Sequence, residues 1–233
     1  MRLSQSAPGF RNLGAQAYET LREAIITLQL EPGQTVMETE LADSLHISRT
    51  PIRDAFHLLI SEQLIEVLPQ RTKKIACISE LKVKESSFVR LSLETSAFKL
   101  VAKQWDTLDH RYIKADKEIN NLLREQSEAA AEQDIVQFLR LDEVFHERVL
   151  QLAGNETLLE VVYHMRGHLN RLRFLAMKEL VLTKSLVQEH FELFDCLKNR
   201  DEAGVLQLLE RHLGKLNSEI PPLREKFPHY FID

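Results

Sequence analysis

From Ala15 onward apolar residues recur every three to four positions, at Tyr18, Leu21, Ile25 and Leu28. That spacing lines one face of a helix, and Glu31-Pro32-Gly33 ends it. A short second helix follows over 38–45, turning Leu41, Ala42 and Leu45 inward. A third, over 49–62, buries Ile52, Phe56, Leu59 and Ile60. The pattern then changes. In LIEVLPQRTKKIACIS, β-branched and apolar residues flank Pro69-Gln70-Arg71-Thr72-Lys73-Lys74, which predicts two short strands joined by a basic turn. Three helices and a hairpin are the parts of a winged helix-turn-helix over 15–78.

Beyond Ser79 helical patterns run at about 80–105, 107–128, 130–153, 156–178, 180–198 and 201–219. Their breaks fall at Asp106, the polar stretch 126–134, Gly154-Asn155 and Asn199-Arg200-Asp201. Short connections between long helices predict an antiparallel bundle of six to seven helices. The fold class is therefore mainly α: a loose polar arm at 1–14, a winged helix-turn-helix at 15–78, an all-helical domain at 79–222 and a tail at 223–233.

Composition agrees with this reading: only seven Gly and seven Pro stand among 233 residues, with 44% hydrophobic content for a core. A net charge of −5 excludes a protein that coats nucleic acid over its whole surface. Placement matters more than the sum. Of the eight Lys and Arg residues in 1–78, five are Arg49, Arg53, Arg71, Lys73 and Lys74, all on the third helix or the hairpin. Cys77 and Cys196 lie far apart and read as two buried thiols in a reducing cytoplasm. No apolar run is long enough to cross a membrane, and the opening residues lack the apolar middle of a signal peptide. The expected location is cytoplasmic.

In the stretch LHISRTPIRDAF, Pro51 suits a first helical turn, whose N–H groups have no intrahelical partner, and Ser48 or Thr50 is placed to cap it. If this helix enters a major groove end-on, Ser48, Arg49, Thr50 and Arg53 project from its leading turns. A guanidinium can donate two parallel hydrogen bonds to guanine O6 and N7. Arg71, Lys73 and Lys74 of the hairpin complete the candidate DNA-contact set. The competing reading is a solvated face balancing Asp54 and Glu62.

Further along, Asp142 and His146 are four apart and share a helix face. His190 and His212 sit in separate helical patterns, so three imidazoles and a carboxylate can converge on a divalent metal in a bundle core. His164 and His168 have the same four-residue spacing and are a rival pair. Arg90 and Glu94 are also four apart, the spacing of an ordinary helical ion pair. No HExxH, phosphate-binding glycine loop or nucleophile with its base is present, which argues against an enzyme.

The run from Ala17 to Arg71 resembles the DNA-binding half of bacterial GntR-family regulators. Leu30-Glu31-Pro32-Gly33, Glu38, Leu41-Ala42, Leu45 and Ser48-Arg49-Thr50-Pro51-Ile52-Arg53-Asp54-Ala55 carry the likeness. Two positions depart from it: His46 replaces a usual turn glycine, and Thr72 follows Arg71 where glycine is usual. DEVFHERVLQLAGN, the Glu189-His190 step and His212 resemble the FCD effector domain of the FadR-type subfamily. That resemblance implies a metal at Asp142, His146, His190 and His212, zinc first, with nickel or manganese as alternatives. It also implies a small organic acid held by Arg90, in FVRLSLETSAFKLVA, with Asn170 and Arg166 on a neighbouring helix. A homodimeric repressor on a pseudo-palindromic duplex operator, released by the acid, is the function implied. A purely structural metal and, from another class, a metal-dependent enzyme are the alternatives.

Overall fold

A computed structural model describes residues 13–69 and 72–232. The chain divides into two compact units, Met1–Cys77 and Ile78–Asp233. Of the arm expected at 1–14, residues up to 12 lie outside the described part, and Leu13 and Gly14 are already helical.

The first unit contains α1 (Leu13–Ile26), β1 (Thr35–Val36), α2 (Glu38–Ser44), α3 (Arg49–Ser61), β2 (Ile65–Val67) and β3 (Lys73–Ile75). Its sheet has the order β1-β3-β2, antiparallel throughout, with Thr35 opposite Lys74 and Ile65 opposite Ile75. The hairpin is where the sequence predicts it. Strand β1 carries too short an apolar signal to be read alone and exists through its pairing with β3. Helix α1 stops at Ile26, short of Leu28, whose φ of 57° is left-handed. Leu21, Ile25, Ile52, Phe56, Leu59 and Ile75 form the core between α1, α3 and the sheet. Phe56 is only 1% exposed, so truncating it to alanine costs about 3–5 kcal/mol. At the other end of α3, Glu62 accepts from Arg22 Nε at 3.0 Å and from the Tyr18 hydroxyl, tying α1 to α3.

The turn between α2 and α3 resolves the departure at His46. Its φ is 55°, its N–H donates to Asp43 O, and the Ile47 N–H donates to Ala42 O. This is a Schellman closure of α2, which needs a left-handed residue where His46 stands. Histidine tolerates that conformation better than a β-branched residue but worse than glycine.

The second unit is built from α4 (Glu80–Gln104), α5 (His110–Glu132), α6 (Ile135–Leu152), α7 (Glu156–Leu180), α8 (Thr183–Lys198), α9 (Glu202–Gly214) and α10 (Leu216–Lys226). Helix α4 packs against α6, α7, α8 and α9, and α5 covers α6 and α8. Phe98, Val101, Ile119, Phe145, Leu193 and Leu209 lie in the core between them. The helix starts are written in the sequence. Ser79, Asp109, Asp134, Asn155 and Asp201 each accept a backbone N–H from the first turn they precede, which satisfies donors that a helix start leaves orphaned.

Four expectations are corrected here. Helix α5 runs four residues past its expected end, to Glu132, because Gln126, Ala129 and Ala130 face the interior, and the break falls at Gln133-Asp134, at the end of the polar stretch. The single last helix expected over 201–219 is two, α9 and α10, divided at Lys215. The tail contains a 3-10 turn at Pro228–Tyr230 and strand β5 (Phe231–Ile232), which pairs in parallel with β4 (Ile78–Ser79). Cys77 and Cys196 are each partly exposed rather than buried. No described helix is long and apolar enough to cross a membrane.

Candidate metal centre and candidate DNA-contact surface

Asp142 and His146 lie one turn apart on the inner face of α6, His190 projects from α8 and His212 from α9. One ligand atom from each meets the others within 4.8 Å, and all four residues are buried. His146 Nε2 is 3.2 Å and His190 Nε2 is 3.3 Å from His212 Nε2, while Asp142 Oδ1 is 3.5 Å from His190 Nε2. Ligands about 2.1 Å from one ion stand about 3.0–3.4 Å apart around it, so these separations fit one divalent ion.

The outer nitrogens explain which way the lone pairs face. His146 Nδ1 is 2.7 Å from Glu94 Oε2, His190 Nδ1 is 2.7 Å from Gln126 Oε1, and His212 Nδ1 is 2.8 Å from Glu189 Oε2. Gln126 gives its amide N–H to Leu141 O at 3.0 Å, which turns its oxygen toward His190. All three partners are acceptors: Nδ1 of His190 and of His212 hydrogen-bonds to its partner, His146 Nδ1 lies at ion-pair distance from Glu94, and a proton on each Nδ1 leaves each Nε2 lone pair facing inward. Three lone pairs facing one another repel unless a cation lies among them.

Charge states agree with that tautomer. Burial pushes His146 down to about 4, against the pull of Glu94, and pushes His190 well below the ordinary imidazole value, helped by His212. Burial alone would raise the Asp142 carboxyl, but Arg173 and the neighbouring imidazoles hold it well below the carboxylate range. Asp142 Oδ2 accepts from Arg173 Nη2, and Oδ1 makes no hydrogen bond among the described residues. An orphaned buried carboxylate oxygen beside three lone pairs is a donor set for a cation. His164 is exposed, and His168 is half-buried with Nδ1 at 3.1 Å from Arg171 Nη2; neither joins the cluster.

A narrow cleft, open to solvent, reaches His212. Ser87, Arg90, Arg173, Lys215 and Glu219 supply its polar lining. Arg90 Nε donates to Glu94 Oε1 at 2.6 Å, so the helical ion pair forms. Its Nη2 is buried and makes no hydrogen bond among the described residues. The other two expected effector contacts lie elsewhere. Asn170 is fully buried, giving its amide to Glu143 and accepting from Arg173. Arg166 lines a separate cleft with Glu147, Tyr163 and His164.

On the first unit Ser48, Arg49, Thr50 and Arg53 are all exposed at the leading end of α3. Ser48 holds the N-cap position, but its side chain makes no capping bond. The wing cations diverge. Lys73 reaches Glu38 Oε1 at 2.7 Å and stands 5.4 Å from the Phe56 ring centre, whereas Lys74 lies on the opposite strand face beside Gly33. Arg71 lies outside the described residues.

Glu94, Gln126, Arg173 and Lys215 are the site's unforeseen members. Gln126 and Arg173 carry a weak signal, each a polar residue at an inward position of its helical pattern.

A winged helix-turn-helix with an exposed Arg-Thr-Arg leading edge, carried with an all-helical unit, defines a DNA-binding transcription regulator. Comparison with known proteins makes this specific. The FCD domain family matches residues 85–215, and the gntR family of bacterial regulatory proteins matches residues 13–75. The chain belongs to the bacterial gntR family of transcription regulators that carry an FCD domain. It is 29% identical over 214 residues to an HTH-type transcriptional regulator in an unstable DNA locus of Streptomyces ambofaciens, spanning 92% of this chain and 87% of that one. It is 25% identical to the transcriptional repressor RspR of Escherichia coli, spanning 94% and 93%. The gluconate operon repressor of Bacillus subtilis is 24% identical, over 95% and 88%. Among solved structures, E. coli McbR/YncC shares the fold with a TM-score of 0.77 at 19% identity, covering 94% of this chain and 100% of that one. These relatives are transcription regulators, not enzymes.

Proposed function

We propose that this chain is a repressor released from DNA by a small organic acid bound at a divalent metal in the helical unit. The observation that carries the reading is the cleft lined by Arg90, Arg173 and Lys215, which reaches His212 of the Asp142, His146, His190 and His212 cluster. A divalent ion held by those four residues supplies positive charge and coordination positions for a carboxylate. Oxygen and imidazole donors without cysteine suit zinc, with nickel or manganese as alternatives.

The chain's own groups do the selecting. Arg90 keeps one guanidinium nitrogen, Nη2, without a hydrogen-bond partner among the described residues, a donor that a carboxylate would satisfy. Arg173 stands between Asp142 and the cleft, and Lys215 pairs with Glu189, the partner of His212. Binding in the cleft therefore bears on the same side chains that orient the cluster. The name of one relative ties it to a gluconate operon, and gluconate is an organic acid of the class this cleft would take.

On DNA, Arg49, Thr50 and Arg53 would read base edges while Ser48, Lys73 and Lys74, with Arg71, supply backbone contacts. A homodimer would set two α3 helices on half-sites about 34 Å apart in a pseudo-palindromic operator. Release requires that the acid bind the DNA-free arrangement more tightly than the DNA-bound one.

Native mass spectrometry of the purified protein tests the site. The expected result is one divalent ion per chain and an associated organic acid, with Arg90→Ala keeping the metal and losing the acid. A metal-loaded protein that binds no acid from a carboxylate panel would leave the metal purely structural.

A further inference from the structure

One carboxylate gathers three of the cations proposed to meet DNA. Glu38, the first residue of α2, has its side chain only 12% exposed. Its Oε1 accepts from Lys73 Nζ at 2.7 Å, and its Oε2 stands 3.5 Å from Arg49 Nη2 and 3.4 Å from Arg53 Nη2. The arginine side chains are more than half exposed, at 57% and 56%, whereas Lys73 is 23% exposed. So the carboxylate sits beneath, and the guanidinium groups reach outward from it.

The geometry points to Glu38 as the positioning residue for sequence reading: it orients Arg49 and Arg53 for base edges and locks the wing to α3 through Lys73. This rests on the reading that α3 faces DNA. A guanidinium has five N–H donors, and giving one edge to a fixed carboxylate leaves the others to meet guanine O6 and N7. An unheld arginine must lose its rotamer freedom on binding, and it reaches phosphates as easily as bases. Two guanidinium groups this close also repel, and a shared anion is what lets both stay on one helical edge. The hydrogen bond from Lys73, together with the charges of Lys73 and Arg53, holds the Glu38 carboxyl below its ordinary range against its partial burial, so it is an anion at neutral pH. The Lys73 ammonium also stands over the ring of the core residue Phe56, 5.4 Å from its centre, which helps to hold the Lys73–Glu38 pair in place.

A charged side chain that only balanced its neighbours would behave differently. Its removal would raise affinity for every duplex alike, since one negative charge near the phosphates would be gone. A positioning residue makes the opposite signature on cognate sequence: nonspecific binding rises while specific binding falls.

The experiment uses the full-length protein and a random-sequence duplex pool. The wild type enriches a duplex, and affinities for that duplex and a shuffled version are then measured at one salt concentration. For Glu38→Gln the specific-over-shuffled ratio is expected to fall about tenfold, the worth of one well-made base contact. The shuffled duplex should be bound at least as tightly as by wild type, which shows that the variant is folded. Glu38→Asp, one methylene shorter, should recover part of the ratio. An unchanged ratio for Glu38→Gln, or enrichment of the same sequence with the same base preferences, overturns the positioning role. Arg53→Ala is the separate check on the underlying reading: if Arg53→Ala leaves the ratio intact, α3 does not read the sequence, and the proposal for Glu38 falls with it.

Discussion

Gln126 Oε1 accepts the Nδ1 proton of His190 at 2.7 Å, and the same amide donates to Leu141 O at 3.0 Å. Neither Gln126 nor His190 has freedom to turn, because both are fully buried and His190 stacks on Phe145 with ring centres 4.4 Å apart. This pair decides that His190 presents Nε2 to the cluster. Gln126→Leu should therefore lower divalent-metal affinity about 10–100-fold, the usual cost of losing a partner behind a ligand. Competition against a chromophoric chelator measures it, and unchanged affinity would mean that the stacking on Phe145 alone sets the ring.

Two histidine sets are indistinguishable by spacing, and the structure brings only one together. His190→Ala should sharply lower the divalent ion content per chain in elemental analysis, while His164→Ala leaves it at the wild-type level. The reverse pattern would move the metal to the His164 and His168 pair.

Arg173 and Asp142 form a buried ion pair at the edge of the cluster. Removing one partner of such a pair costs about 3–5 kcal/mol. Arg173→Met should cost that much in metal-stripped protein and clearly less with zinc bound, because Asp142 then has a second counter-charge. Urea unfolding with and without zinc checks it, and an equal loss in both states would mean that Asp142 does not feel the metal.

The left-handed turn at His46 gives a stability prediction for the first unit. His46→Gly relieves the steric cost of φ 55° but adds chain entropy to the unfolded state. The net expectation is a gain of about 0.5–1 kcal/mol. His46→Val, β-branched at the same φ, should destabilise. Thermal unfolding orders the three proteins as Gly, His, Val; a valine variant as stable as wild type would contradict the turn geometry.

Much of the fold is legible in the amino-acid order. Helix starts at Asn155 and Asp201 and the hairpin around Pro69 follow from local chemistry alone. Asp142 and His146 announce themselves by a four-residue spacing. His190 and His212 do not, since no local rule tells that helices α8 and α9 meet α6; the family resemblance selects them. Gln126 opens a polar stretch, and only its helical spacing from Ile119 and Leu123 hints that it faces inward. Glu38 stands in the sequence as one letter of a family pattern, and its role as a meeting point for Arg49, Arg53 and Lys73 depends on contacts 11 to 35 residues apart. The pairing of β4 with β5 spans nearly the whole second unit, a distance across which sequence pattern carries no register. Asn170 and Arg166 lie on the expected helix, but its rotation places neither in the cleft beside His212.

If the metal links the organic acid to release of DNA, the two must fail together. The most direct test titrates a panel of small carboxylic acids into operator-bound protein, metal-loaded in one series and metal-stripped in the other, and follows release by fluorescence anisotropy. At least one acid should free the metal-loaded protein from its duplex while the stripped protein stays bound at the same concentration. Equal release in both series would break the link between metal and acid.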